Sequence, residues 1–397
     1  MKIQEKRIKD NILNIGRIGE SEEGINRIAF SKEFIEARNI LERKMKSIGL
    51  RTKIDGVGNL IGRKQGILNE KIMIGSHLDT VVNGGLLDGN LGVIASLECM
   101  MVMDEFNYSP KHTIEIVCFN AEEGSELGGT FGSRAMNGQV LVDEKNKNTL
   151  SSYGIDSESI NDTINKEKIL TFLELHIEQG GILENRSKTI GIVENIVGIS
   201  RYKITVLGEE NHSGTTSMDL RKDALVTASE IIVKVNKIAK LMNPPFVATV
   251  GILNVLPNSV SIIPGKVEFI VELRDVGESQ ILDFMVSIKE YINSFKKNIT
   301  VEELVTKPHK KLSNKINTIV EDICIENNIS YLRMDSGAGH DCKEFVDKTD
   351  VGLIFIPSIN GKSHCKEEMS NFEDIYTGVQ LLLDVLLYID GEYGGSL

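Results

Sequence analysis

The chain has 397 residues, 41% hydrophobic and 26% charged, with a formal net charge of −12 and an isoelectric point near 5.3. That is the composition of a globular protein with room for two domains, and its acidity argues against a nucleic-acid or anionic-membrane partner, which would need a basic footprint. No apolar run reaches the ~18 residues of a membrane helix, the charged opening MKIQEKRIKDNILNIGRIGE lacks a signal peptide's apolar core, and the five cysteines have no paired spacing. A cytoplasmic protein without a disulfide framework is expected.

In chain order, SKEFIEARNILERKMKSIG (31–49) predicts a long amphipathic helix with Ser31 as N-cap, Glu33 in its first turn and Gly49 as its stop. Apolar strand-like runs then alternate with helical patterns. IMIG (72–75) precedes a helical GVIASLECMMVMDEF, and TIEIVCF (113–119) precedes a helical stretch near GTFGSRAM. LEL (173–175) and GLIFIPS (352–358) have the same character. Apolar strands separated by helices imply an α/β fold with a mostly parallel sheet covered on both faces.

Residues 201–308 read differently. RYKITVLG is an alternating strand, RKDALVTASEIIVKVNKIAKLM an amphipathic helix, FVATVGILNVL and KVEFIVELRD are strands, ESQILDFMVSIKEYINSF is a helix and ITVEELV a strand. This βαββαβ order predicts an α+β domain of about 100 residues inserted into a larger, discontinuous domain made of 1–200 and 309–397.

Four stretches follow predicted strands and carry unusual polar residues. SHLDTVVNGGLLDGNLG holds His77, Asp79 and Asp88; FNAEEGSELGG holds Glu122 and Glu123; LELHIEQGG holds His176, Glu178 and Gln179; PSINGKSHCKEE holds His364 and Glu368. Ligands of open α/β sheets gather beyond the carboxyl ends of the strands. Histidines and carboxylates collected there are the donors that Zn²⁺ or Mn²⁺ prefers. Asp79, two residues beyond His77, is placed to hold that imidazole in its metal-binding tautomer. Adjacent Glu122 and Glu123 can divide labour, one binding metal and the other acting as general base toward water. Taken singly, each stretch could be a solvated turn. No GK[ST] follows the glycines, which weighs against a phosphate loop. His112 and His309 read as exposed, and His340 in SGAGHD as a residue of the site loop or a bystander.

The order HxD, Asp, EE, a further ligand and a late His resembles the dinuclear metallo-aminoacylase and carboxypeptidase superfamily. HIEQG, NHSGTT and SGAGHD resemble its branch of N-carbamoyl-L-amino acid amidohydrolases, allantoate amidohydrolases and β-ureidopropionases, with similarity running from about Gly24 through DGVGNLIGR to the C-terminus. The resemblance implies two divalent metal ions per subunit, Zn²⁺ or Mn²⁺, bridged by Asp88. His77 and His176 would complete one site, and Glu123 and His364 the other. It makes Glu122 the base and Asp79 the residue that orients His77. Gln179 and Arg274 would contact substrate, and His212, supplied by a partner subunit's smaller domain, would stabilise the oxyanion. The 201–308 domain would then serve as lid and dimer interface of a homodimer. The implied substrate is a small ureido acid, hydrolysed at its carbamoyl group. His176 replaces the carboxylate of peptidase members, whereas DTVVNGG is more similar to the allantoate enzymes. Two departures stand out. Ser261 occupies the usual Asn position in PNSVSIIPG, shortening a contact to the substrate carboxylate, and Ser217 replaces a Pro after NHSGTT. Cys342 and Cys365 lie close to His340 and His364 and read as packing residues, Cys365 being the one whose oxidation would reach the site.

Overall fold

A computed structural model describes residues 1–295 and 298–392. The chain forms two compact units, Met1–Glu194 with Lys311–Leu397, and Asn195–Lys310. Along the chain the strands are β1 (Arg51–Ile54), β2 (Leu60–Lys64), β3 (Leu68–His77), β4 (His112–Phe119), β5 (Ile169–Ile177), β6 (Ile190–Ile196), β7 (Gly198–Leu207), β8 (Asn211–His212), β9 (Val247–Leu256), β10 (Ile262–Ile263), β11 (Lys266–Asp275), β12 (Ile299–Lys307), β13 (Lys310–Lys311), β14 (Tyr331–Ser336) and β15 (Asp350–Ile356).

The larger unit is built on a mixed sheet in the order β1-β2-β4-β3-β5-β15-β6-β13, with β14 paired to β6. Its centre is parallel: β4, β3, β5 and β15 run the same way, and antiparallel pairs flank them. The central strands are apolar along both faces because helices cover both. All eight residues of β4 are buried, as are the last seven of β3 and of β5. The helix Asn90–Glu105, which follows β3, is buried nearly all round and so carries no polar stripe. The helix Lys32–Ser47 starts where Ser31 accepts a hydrogen bond from the Phe34 N–H, buries Phe34, Ala37, Leu41 and Met45, and ends before Gly49 at φ +74°. Register decides where the chemistry falls: His77 pairs with Phe119 and Phe355 with His176. Four parallel strands therefore end along one edge, and their following loops share it.

The smaller unit has a four-stranded antiparallel sheet in the order β12-β7-β11-β9, with the helices Ala224–Ala239 and Glu278–Ser294 packed on it. Strict alternation of buried and half-buried residues along β11 places Val267, Phe269, Val271 and Leu273 in a core with Ile231, Phe284 and Ile288. The short ladder β8–β10 pairs His212 with Ile262 and was not expected from the sequence. Strand β7 begins at Gly198, ahead of Arg201. Among the described residues no helix is long and apolar enough to cross a membrane.

Two histidines correct the expectation of exposure. His112 is buried at the start of β4, where its N–H and ring both meet the buried carboxylate of Asp390 at 2.8 and 3.0 Å. His309 is half-buried.

Candidate metal centre

Each strand end contributes side chains to one cluster in the larger unit, buried at His77, Asp88 and His176 and open to solvent at His364. His77 closes β3; Asp88 lies on the following loop, just before the helix Asn90–Glu105. Glu122 and Glu123 follow β4, His176 lies near the end of β5 with Gln179 beyond it, and His364 follows β15. His77, Asp88 and His176 are each at most 3% exposed, and Glu122 is 9% exposed.

Asp88 is the hub. Its Oδ1 lies 3.1 Å from His176 Nε2 and 3.5 Å from His77 Nε2, while its Oδ2 lies 3.2 Å from His364 Nε2. Glu123 Oε1 is 3.4 Å from His364 Nε2, and Glu122 Oε2 is 3.9 Å from His77 Nε2. Three donor sets, His77–Asp88–His176, His77–Glu122–Glu123 and Asp88–Glu123–His364, each have their ligand atoms within 4.8 Å of one another. The other nitrogen of each buried ring is tied down: His77 Nδ1 meets the Asp79 carbonyl at 3.0 Å and His176 Nδ1 the Ile177 carbonyl at 2.9 Å. Both rings thus donate from Nδ1 and turn Nε2 toward Asp88, the nitrogen left to bind a metal once its proton is displaced.

Asp79 orients His77 through its main chain rather than its carboxylate. The carboxylate stands 3.8 Å from His77 Nδ1 and instead accepts the backbone N–H groups of Glu122 and Glu123 at 3.2 and 3.0 Å. It fixes the turn that carries both glutamates. Gly89, at φ +64°, must be glycine because a Cβ there would lie 2.5 Å from the His77 ring.

The electrostatics follow from burying many carboxylates together. Burial pushes Glu122 up to about 8 against the pull of the His77 ring, and pushes Glu123 up to about 8 with Asp88 adding to the shift. Asp88 moves the other way: burial opposes it, but hydrogen bonds from His176, His364 and His77 hold it well below the usual carboxylate range. Burial opposes protonation of His176, yet Asp88 lifts it to about 9; contacts to Asp88 and Glu123 lift His364 to about 11. A cluster that draws protons onto its donors in this way is one that cations neutralise. The residues fit divalent metal: Glu123 Oε1 is buried without a hydrogen-bond partner, and the donor set mixes imidazole and carboxylate.

Gln179, at φ +59°, donates from Nε2 to Asp88 Oδ2 at 2.7 Å and leaves its own Oε1 buried and unpartnered. Glu178 points elsewhere, accepting the N–H groups of Ile182 and Leu183 to cap a short helix. His212, Ser261 and Arg274 belong to the smaller unit. His212, on the β8–β10 ladder, and Ser261, just before β10, are both exposed, and the Ser213 N–H donates to the Ser261 carbonyl at 2.9 Å. Nδ1 of His212 accepts from the N–H groups of Gly214 and Thr215 at 3.0 and 3.2 Å, which leaves the ring proton on Nε2. Arg274, next to last in β11, donates from Nε to Glu272 at 2.9 Å.

Glu174, Asp341 and Arg27, all buried in this region, were not singled out by the sequence, whereas His340 read as a site-loop residue or a bystander. Glu174, inside β5, accepts from Ser76 Oγ and the Cys342 N–H at 2.7 and 3.0 Å. Asp341 accepts from Ser133 Oγ at 2.5 Å, and burial with Glu174 nearby raises it well above the carboxylate range. His340 packs edge-on against His176 at 4.6 Å; burial and that neighbouring ring keep it neutral. Arg27, fully buried, donates to the Leu78 carbonyl between His77 and Asp79. A charged residue inside an apolar strand was the available signal for Glu174; Arg27 offered none. Cys342 is buried and Cys365 half-buried, and both are free thiols.

A parallel sheet with paired histidine–carboxylate sets at its strand ends defines a metallohydrolase class, and residues 73–388 match peptidase family M20/M25/M40, to which the chain belongs. Among relatives, an N-carbamoyl-L-amino-acid amidohydrolase of Pseudomonas sp. (strain NS671) is 36% identical over 97% of this chain and 98% of its own length. An allantoate amidohydrolase of Escherichia coli (strain K12) is 34% identical over 92% of both chains. The crystal structure of an amidase of the hydantoinase/carbamoylase family from Burkholderia multivorans superposes with a TM-score of 0.86 at 28% identity, covering 98% of this chain and 99% of that one.

Proposed function

We propose that the protein is a metal-dependent amidohydrolase that cleaves the carbamoyl group of a small ureido acid such as an N-carbamoyl-L-amino acid, releasing the amino acid, CO₂ and NH₃. One observation carries this reading: the two oxygens of Asp88 face different donor sets, His77 and His176 on one side and His364 with Glu123 on the other. That arrangement suits two divalent ions, Zn²⁺ or Mn²⁺, with Asp88 between them. When bound, they supply charge neutralisation and Lewis-acid polarisation.

The chain's own groups then have assignable work. Glu122, held by the Asp79 turn, takes a proton from the attacking water as a bond forms to the carbamoyl carbon. The bond from that carbon to the amino-acid nitrogen breaks, and Glu122 delivers the proton to the departing amine. The carbamic acid left behind decomposes to CO₂ and NH₃. His212 contributes an Nε2–H to the oxyanion; its backbone-locked Nδ1 supports that donor role. Arg274 holds the substrate carboxylate, with Gln179 and Ser261 as further polar contacts.

The smaller unit acts in this reading as lid and dimerisation domain, and His212 is supplied by the second subunit of a homodimer. Edge strand β9 supports a covering partner, since Val247, Ile252 and Leu253 are each about half exposed on it at 51%, 50% and 47%. A cytoplasmic location fits the free cysteines and lack of a membrane-spanning helix among the described residues.

The test is ammonia release from N-carbamoyl-L-amino acids, N-carbamoyl-β-alanine and allantoate after loading with Mn²⁺ or Zn²⁺, with amine release from an N-acetyl amino acid alongside. Chelator-sensitive turnover of a ureido acid is expected. Turnover of the acetyl compound alone would move the chain to the aminoacylases, and silence across the panel would leave a binding protein on this fold.

A further inference from the structure

The loop after β15 contains a carboxylate that no part of the proposed chemistry uses. Glu368 is 2% exposed and joins two loops far apart in sequence. Its Oε1 accepts the backbone N–H groups of Leu87 and Asp88 at 2.8 and 2.9 Å. Its Oε2 accepts Ser363 Oγ at 2.7 Å and the His364 N–H at 3.3 Å. One side chain therefore grips the main chain of the hub, Asp88, and of His364 on the opposite side of it.

Two independent features show that the local structure is built around this carboxylate. A Cβ on Gly85 would lie 2.1 Å from the Glu368 carboxyl carbon and from Oε1, so only glycine lets the carboxylate reach the Leu87–Asp88 backbone. His364 sits at φ +56°, a conformation that costs a non-glycine residue strain and persists only where its surroundings enforce it. The hydrogen bond that the His364 N–H donates to Glu368 is such a restraint.

We infer that Glu368, accommodated by Gly85, is a positioning residue that presets Asp88 and His364 for divalent metal. This rests on the metal-centre reading above. The carboxylate touches neither substrate nor reacting atoms; it sets the separation and orientation of two donors before any ion arrives. Loss of such outer hydrogen bonds typically weakens metal binding by about 10- to 100-fold.

The experiment titrates metal-depleted full-length protein with Mn²⁺ and Zn²⁺ in chelator buffers, and records the visible absorption of the Co²⁺-loaded form. Wild type is compared with Glu368→Gln, Gly85→Ala and Asp390→Asn, folding being checked by circular dichroism. The Asp390 variant is the control for simple structural damage, because that carboxylate is equally buried and also accepts two backbone N–H groups, at Lys111 and His112, at the start of β4. Glu368→Gln and Gly85→Ala are expected to lower the affinity of at least one ion by about 10- to 100-fold and to alter the Co²⁺ spectrum. Asp390→Asn should lower the melting temperature while leaving affinity and spectrum intact. Wild-type affinity and an unchanged spectrum in either folded variant overturn the positioning role while leaving the metal centre standing. Wild type that takes up no divalent metal overturns the metal-centre reading itself, and this role with it. Should Glu368→Gln not fold, Gly85→Ala decides the matter alone.

Discussion

The two units hold their polar residues in opposite ways. In the larger unit, His77, His176, Asp79 and Asp88 are at most 3% exposed, at the ends of strands that are buried on both faces. Each is fixed by backbone groups or by another member of the cluster. In the smaller unit, His212 is exposed on a two-residue ladder, Ser261 is exposed just before β10, and Arg274 is next to last in a strand whose residues alternate between core and surface. Buried charge is expensive unless paired, so a cluster of buried donors commits the fold to counter-ions. Surface groups cost little to hold and act only when a ligand reaches them. In the proposed function the difference separates a preorganised centre from recognition groups, and substitutions in the two regions should fail differently.

The largest effect is expected at Glu122. Glu122→Gln should reduce turnover by about 10²- to 10⁴-fold with bound metal unchanged, checked by ammonia release alongside metal analysis. Activity near wild type would remove Glu122 as the base. In the other region, His212→Ala should cost about 10²- to 10³-fold in kcat with no loss of metal. Mixed dimers carrying His212→Ala in one subunit and Glu122→Gln in the other should regain one working site, and dimers without recovery would dismiss the contribution across subunits.

Asp79→Asn sharpens the contrast within the larger unit. His77 keeps its carbonyl contact, while one of the two glutamate N–H groups loses its acceptor. The expectation is a loss of about 10- to 100-fold in kcat with the Glu122–Glu123 turn loosened, measured by kinetics and metal titration together. A collapse of the His77 site instead would show that the carboxylate orients the ring after all. The mildest change is Arg274→Ala. Losing a charge-assisted contact of about 1.5–3 kcal/mol should raise KM for carboxylate-bearing substrates and leave kcat nearly intact. Equal damage toward a neutral carbamoyl analogue would exclude the carboxylate grip.

Much of this architecture was legible in the residues. The capped helix at 31–49, the apolar runs that became β3, β4, β5 and β15, and the βαββαβ order of the second unit all follow from hydrophobic period and cap chemistry. His77, Asp88, Glu122, Glu123, His176 and His364 stood out because costly polar groups followed buried strands. Harder to read were contacts made through the backbone. HxD suggests a carboxylate on an imidazole, but the ring took the Asp79 carbonyl, which every residue has and no sequence pattern marks. His112 looked like a surface residue because its partner, Asp390, lies far along the chain.

By itself, then, the sequence determined the periodicity of the elements and the inserted second unit, and it marked the histidines and carboxylates that follow buried strands, since local sterics, hydrophobic period and ligand chemistry act over a few residues. Only the tertiary structure decided which oxygen faces which imidazole, which carboxylate braces the glutamate turn, and that Glu368 reaches across to Gly85 and Asp88. Those are choices among hydrogen-bond partners of similar intrinsic strength, and strand register and side-chain packing settle them.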